Sequence, residues 1–195
     1  VEVESDMSYR DFAQIEENKR LSIYSIISGY AVYIHGELSK IDHYFGLLQL
    51  LHSNPNNLAE GNIFIYIDSP GGKSSIGNQI ANAIKKSTYN VTCIVSGECG
   101  SAATFIALSG KCLIMEPSTC MYFHNYTKGV EPCYGRSLQD YVKNIDKIHE
   151  SIFNNIYLPF LTEREVKLLL NDQEIYIHAD DASLKERLYR NFNPL

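Results

Sequence analysis

The chain has 195 residues, of which 45% are hydrophobic and 21% charged, and its net charge is −6. That length suits one large domain or a tight pair with a core of its own, and the balance predicts a folded rather than a disordered chain. The acidic charge argues against nucleic acid or anionic lipid as the main partner, and no apolar run reaches the roughly 18 residues of a membrane span. Residues 1–20 mix acids and bases and read as an arm or short helix. Tyr30–His35 reads as a buried strand, and Ile41–His52 repeats its apolar residues at helical spacing. Asn54–Gly61 is a polar loop. Ile63–Ile67 is a second buried strand that runs into Ser69-Pro70-Gly71-Gly72, and Ile76, Ile80, Ala83 and Ile84 mark the helix after it. Val91–Val95 is a third strand, Gly97–Gly100 a turn, and Ser101–Leu108 a helix of small residues. Cys112–Met115 and Cys120–Phe123 predict two short strands.

A long amphipathic helix follows over 137–158, with Leu138, Tyr141, Val142, Ile145, Ile148, Ile152, Phe153 and Ile156 on its stripe. It exceeds what one strand–helix unit needs and is expected to project. Thr162 and Glu165 form a capping box that opens a further helix, and Asp180–Leu188 is the last helical segment. Strands alternating with helices imply an α/β domain with largely parallel strands. The five cysteines (93, 99, 112, 120 and 133) are odd in number and form no Cys-x-x-Cys. They argue against a disulfide framework or zinc ribbon and for reduced thiols in a cytosol-like compartment, each acting as a small buried apolar residue. The acidic start, Val-Glu-Val-Glu, predicts no signal peptide.

Two glycine turns follow buried strands: Ser69-Pro70-Gly71-Gly72 and Gly97-Glu98-Cys99-Gly100-Ser101. Side by side, their N–H groups would hold negative charge developing on an oxygen. Read singly, each is an ordinary strand–helix turn. Ser101 stands where a helix begins, so it is either an N-cap or an exposed nucleophile beside the N–H of Ala102. His124 ends a predicted strand one strand–helix–strand excursion later and is the best placed base among six histidines. The carboxylate that would orient it is open among Asp172, Glu174, Asp180 and Asp181. Phosphate-loop motifs are absent.

Together, Tyr66-Ile-Asp-Ser-Pro-Gly-Gly72, Gly97-Glu-Cys-Gly-Ser-Ala-Ala103 and Met121-Tyr-Phe-His-Asn125 resemble the proteolytic subunit of the Clp protease over roughly residues 28–190. The resemblance implies an α/β fold of crotonase/ClpP type, a superhelix of ββα units with a projecting handle helix. An arm over 1–27 would precede a single peptidase domain over 28–195, with a handle region near 125–172. It implies a serine endopeptidase with Ser101 as nucleophile and His124 as general base. Gly72 and Ala102 would be the oxyanion donors, and Gly71 would shape the turn. Aligning His178-Ala179-Asp180-Asp181-Ala182 with the family's segment makes Glu174 the third member, with Asp172 as fallback. No cofactor or metal is implied in this chain. ATP would be used only by a partner AAA+ unfoldase that feeds unfolded polypeptides into two stacked seven-membered rings of the chain itself. The compartment would be the cytoplasm, or a plastid stroma or host cytoplasm for an organellar or phage protein.

Departures from the family pattern are Gly100 before the serine, Ala103 after it, and Asn125-Tyr126 after the histidine. They keep open a catalytically inactive or latent pseudo-subunit. An acyl-CoA hydratase or isomerase relative shares the fold, but that chemistry needs no serine. A serine–lysine arrangement would use Lys73 or Lys111.

Overall fold

The structure is a computed structural model that describes residues 13–17, 20–55, 61–126, 134–158 and 160–192. One eight-stranded sheet organises the chain. Its strands are β1 (Ala13–Glu17), β2 (Leu21–Ile26), β3 (Gly29–His35), β4 (Asn62–Ser69), β5 (Asn90–Gly100), β6 (Cys112–Met115), β7 (Cys120–Phe123) and β8 (Ile175–His178). The order is β1-β2-β3-β4-β5-β7-β8, with β6 pairing the first half of β5. The centre from β3 to β7 is parallel, whereas β1, β2 and β8 pair antiparallel. This is the expected α/β class with a largely parallel core.

Alternation along each strand creates the core. The register lines up Val32, Ile65, Cys93 and Leu113 in one row and Ile34, Ile67, Val95 and Met115 in the next. The first row is buried throughout. These rows pack with helix α1 (Phe45–His52, entered through a 3₁₀ turn at Ile41–Tyr44), α2 (Ser74–Lys86) and α3 (Ala102–Ala107). Each buried side chain of this size contributes about 1.5–3 kcal/mol. The opposite face carries a row of rings, with Tyr33 stacked on Tyr66 and edge-on to Tyr24.

Residues 13–17 and 21–26, expected within a loose arm or short helix, are strands instead. Leu21 and Ile23 are buried, and a period-two pattern too short to stand out among the charges draws this segment into the sheet. Residues 1–12 lie outside the described residues. The turn expected at Gly97–Gly100 is also a correction, because β5 continues through it. Ile67 pairs with Val95 but Ser69 with Cys99, so β5 bulges here. The Asp68 carboxylate accepts the Glu98 N–H at 3.0 Å, and a Cβ on Gly97 would lie 2.3 Å from Asp68 Oδ1. Beyond the bulge β5 leaves β6 and pairs with β7.

Helix α4 (Gly135–Ile152) projects as expected. Only His149 and Ile152 of it are buried, while Val142 and Ile148 on the same stripe are 39% and 51% exposed. A π turn over Phe153–Tyr157 anchors its end, with the rings of Phe153, Phe105 and Phe123 each in contact with Tyr157. Helix α5 (Glu163–Leu170) starts at the predicted capping box, in which Glu165 N–H donates to Thr162 Oγ1 and Thr162 N–H to Glu165 Oε2. Helix α6 (Leu184–Phe192) begins four residues later than predicted, since Asp181 first turns the chain by accepting from the Ser183 N–H and hydroxyl. Cys93 and Cys99 are buried as expected, but Cys112 is exposed and Cys120 only half-buried. Cys133 lies outside the described residues. No helix among the described residues is long and apolar enough to cross a membrane.

Candidate active site

Ser101 is the hinge residue between β5 and α3. Its φ is +49° with ψ −125°, a conformation that L residues adopt at a cost of about 1–3 kcal/mol. The neighbours over-determine it. Ser101 N–H donates to the Tyr122 carbonyl at 3.0 Å, and the Thr104 N–H and hydroxyl both donate to the Ser101 carbonyl. With the Thr104 proton so engaged, the Tyr157 hydroxyl donates to Thr104 Oγ1 at 2.8 Å. The Ser101 hydroxyl does not cap α3. Of the two readings open in the sequence, N-cap and exposed side chain, the geometry supports the second.

The two glycine turns meet. A Cβ on Gly71 (φ +94°) would lie 2.5 Å from the Gly100 carbonyl, 2.7 Å from Ser101 Cβ and 2.9 Å from Ala102 N. Only glycine permits that approach. Gly72 (φ +136°) lies as close to Leu38, which bridges the same turn by donating to the Gly71 carbonyl and accepting from Lys73 N–H. Buried Ser69 pins the turn from below: its hydroxyl donates to the Gly36 carbonyl and accepts the Gly71 N–H. The Tyr122 hydroxyl pins it from the side by donating to the Pro70 carbonyl at 3.0 Å. Neither Gly72 N–H nor Ala102 N–H has a hydrogen-bond partner among the described residues. Two unengaged donors beside a serine hydroxyl are what a tetrahedral oxyanion requires.

His124 follows β7 and lines the same cleft as Ser101 and Gly72, a space of ≈ 680 Å³. Its Nδ1–H donates to the Asn125 carbonyl, so that in the neutral ring Nε2 is the acceptor. Among the described residues no hydrogen bond joins His124 to Ser101 or to a carboxylate. The two carboxylates expected nearby are both present and differently engaged. The β7–β8 register pairs Phe123 with Ile175, so its next step sets Glu174 opposite His124. Glu174 instead accepts the Tyr176 hydroxyl at 2.6 Å. Asp172 accepts the Asn125 side-chain amide at 3.0 Å and reaches His124 only through that residue. Asp172 has φ +57° at the end of α5, where its N–H bonds the Leu169 carbonyl and Gln173 N–H the Leu168 carbonyl. That is the C-terminal loop in which glycine is usual, so an Asp there costs about 1–2 kcal/mol.

Other sequence candidates lie elsewhere. Asp181 holds Ser183, and Asp180 lines a separate surface cavity with His178. Lys111 sits beside Val91 at the far end of β5, whereas Lys73 does line the cleft. Two lining residues carry no sequence signal of their own. His149 is reached by counting four residues from Ile145 on the α4 stripe, and Tyr126 follows Asn125.

A parallel-centred α/β sheet with paired glycine turns against a serine at a strand–helix hinge defines the class. A family model described as Clp protease matches residues 17–184, and the chain belongs to the Clp protease family. Among solved structures, it is similar to an Asn-to-Asp mutant of ClpP1 from Listeria monocytogenes, with a TM-score of 0.64 at 20% identity, covering 81% of this chain and 88% of that one. At that identity the likeness bears on the fold. No curated protein matches the chain.

Proposed function

We propose that this chain is the proteolytic subunit of a self-compartmentalising serine endopeptidase, with Ser101 as nucleophile and His124 as general base. The observation that carries the reading is the contact between the Gly71 turn and the strained Ser101 hinge, with two N–H groups beside it that have no partner among the described residues. His124 Nε2 takes the Ser101 proton as Oγ attacks a peptide carbonyl. The oxyanion rests on the Gly72 and Ala102 N–H groups, His124 returns the proton to the leaving amine, and water then hydrolyses the acyl-enzyme. An extended peptide adds as a strand between the segments after Gly72 and after His124.

For this cycle the His124 Nδ1–H must pass from the Asn125 carbonyl to a carboxylate. Glu174 is our assignment, because continuing the β7–β8 register by one pair beyond Phe123 and Ile175 would set it opposite His124. Asp172 then acts by holding Asn125. The assembly reading, stacked rings of this chain fed by an ATP-driven unfoldase, rests on family membership and on the exposed stripe of α4.

A fluorophosphonate probe tests the serine. Adduct at Ser101, lost in Ser101→Ala, is the expected result. A folded, assembled sample that takes no label favours the second reading, a latent or inactive subunit, which the His124–Asn125 contact supports.

A further inference from the structure

One residue of β7 holds both turns that carry the oxyanion donors. The Tyr122 carbonyl accepts the Ser101 N–H at 3.0 Å, one residue before Ala102. Its hydroxyl donates to the Pro70 carbonyl at 3.0 Å, two residues before Gly72. Between these two ends the ring lies across Gly100, its partner in the β5–β7 register. A Cβ on Gly100 would fall 1.9 Å from Tyr122 Cζ and 2.3 Å from its hydroxyl oxygen, so the ring reaches Pro70 along this path only over a glycine. Tyr176 and His124 flank the ring, with centroids at 5.9 and 6.4 Å. Burial, reinforced by the Glu98 charge, pushes the phenol up to about 12, so it keeps its proton and stays a donor at neutral pH. The Glu98 carboxylate is a competing acceptor for that proton. Past the pairing of Ser69 with Cys99, no backbone hydrogen bond joins residues 70–72 to residues 100–102 among the described residues. The spacing of the two donors therefore rests on the packing at Gly71 and on Tyr122.

We propose that Tyr122 is a positioning residue for the reaction: by joining the Pro70 turn to the Ser101 hinge, it sets the distance between the Gly72 and Ala102 N–H groups to suit a tetrahedral oxyanion. This deepens the peptidase reading and rests on Ser101 as the acylating residue. Tyr122 is not among the residues that line the cleft, so it acts through the turn and not on the substrate. Oxyanion donors serve the transition state more than the bound substrate, so a displaced pair lowers kcat and leaves KM nearly unchanged.

The test uses the full chain, one coumarin amide peptide and a peptide boronate of the same sequence. Tyr122→Phe keeps the ring over Gly100 and removes only the hydroxyl. It should lower kcat about tenfold with KM unchanged, as the loss of one hydrogen bond allows, and weaken boronate binding by about the same factor. The circular dichroism spectrum should not change. Glu98→Gln, which alters only the competing acceptor, should leave kcat within about twofold. An unaltered kcat in Tyr122→Phe overturns the proposal, as does a rise in KM without loss of boronate affinity. An equal fall in Glu98→Gln also overturns it, because the effect would then trace to the carboxylate and not to Pro70. Fluorophosphonate labelling of the unaltered protein separates the two claims. Labelling at Ser101 with equal turnover in Tyr122→Phe overturns only the role of Tyr122. Absence of both labelling and cleavage in the unaltered protein overturns the peptidase reading and this inference with it.

Discussion

The two sides of the cleft are built differently. On the glycine side the shape is set by backbone, with the positive φ values of Gly71, Gly72 and Ser101 and the sub-3 Å approach any Cβ on Gly71 would make, and two hydroxyls, of Ser69 and Tyr122, pin it. On the histidine side the contacts are made by side chains, one of them to the Asn125 backbone carbonyl. His124 donates to Asn125, Asn125 donates to Asp172 and Glu174 accepts from Tyr176. Backbone of the first kind changes only by refolding a turn. Hydrogen bonds of the second kind exchange for about 1 kcal/mol each. In the peptidase reading proposed above, the Gly72 and Ala102 donors are therefore in place at rest, and the orientation of His124 is the part left to be set. In that reading, a peptide strand adding beside Asn125 and Tyr126 would set it.

The sharpest way to break this comparison is to remove the group both sides serve. Ser101→Ala should abolish peptidase turnover, a fall on the order of 10⁶ in kcat, and leave the circular dichroism spectrum unchanged. Next come the carboxylates. Glu174→Gln should lower kcat by about 10⁴ through loss of the base tautomer, while Asp172→Asn should change it by less than about tenfold. The reverse order, measured with one peptide substrate, would transfer the orienting role to Asp172. Gly71→Ala tests the other side. Its Cβ would press on backbone at Gly100 and Ala102, so the oxyanion donors must move. A kcat loss of about 10²–10³ is expected, with fluorophosphonate labelling slowed in proportion. If Gly71→Ala were harmless, the glycine side would not be the rigid half.

The difference between the sides also governs what could be read in advance. Glycine turns, a serine at a helix start and a capping box are local, and their residues stand together in the chain. The Ser69–Gly72 turn and the serine at the start of α3 were legible for that reason. The region near His124 depends on pairings distant in sequence. β8 was missed because Ile175–His178 is four residues long and lies among polar neighbours. Without β8, the register that brings Glu174 opposite His124 has no basis in composition. Asn125 appeared only as a departure from the family pattern, yet it carries the contacts that define the resting state. The bulge in β5 was hidden because Gly97 and Gly100 look like a turn. In fact, one glycine makes room for the Asp68 carboxylate and the other for the Tyr122 ring.

A smaller effect sharpens the comparison through the support of Asp172. Helix α5 ends two residues before Asp172, and its start is tied to α6 by Glu165, which receives the Arg187 guanidinium through both oxygens at 2.6 and 2.9 Å. The Arg187 hydrogen bonds, helped by Thr162, lower the Glu165 pKa to about 2. A carboxylate depressed on folding contributes stability that is present above its unfolded pKa, near 4.3, and lost as pH falls toward the folded value. The window is thus between about pH 4.5 and 2. Because the pair is partly solvated, the contribution is on the order of 1 kcal/mol, or roughly 3 °C in melting temperature. Glu165→Gln should therefore melt about 3 °C lower than the unaltered protein at pH 7, with the gap closing as the pH approaches 2. The same substitution loosens α5 and hence Asp172, but it does not touch the Gly71 turn. At pH 7 it should alter kcat for a peptide while leaving the glycine side's anion binding intact. Affinity for a peptide boronate, whose tetrahedral oxygen contacts the cradle, would report the latter. A parallel loss of both would mean that the two sides are coupled through the sheet.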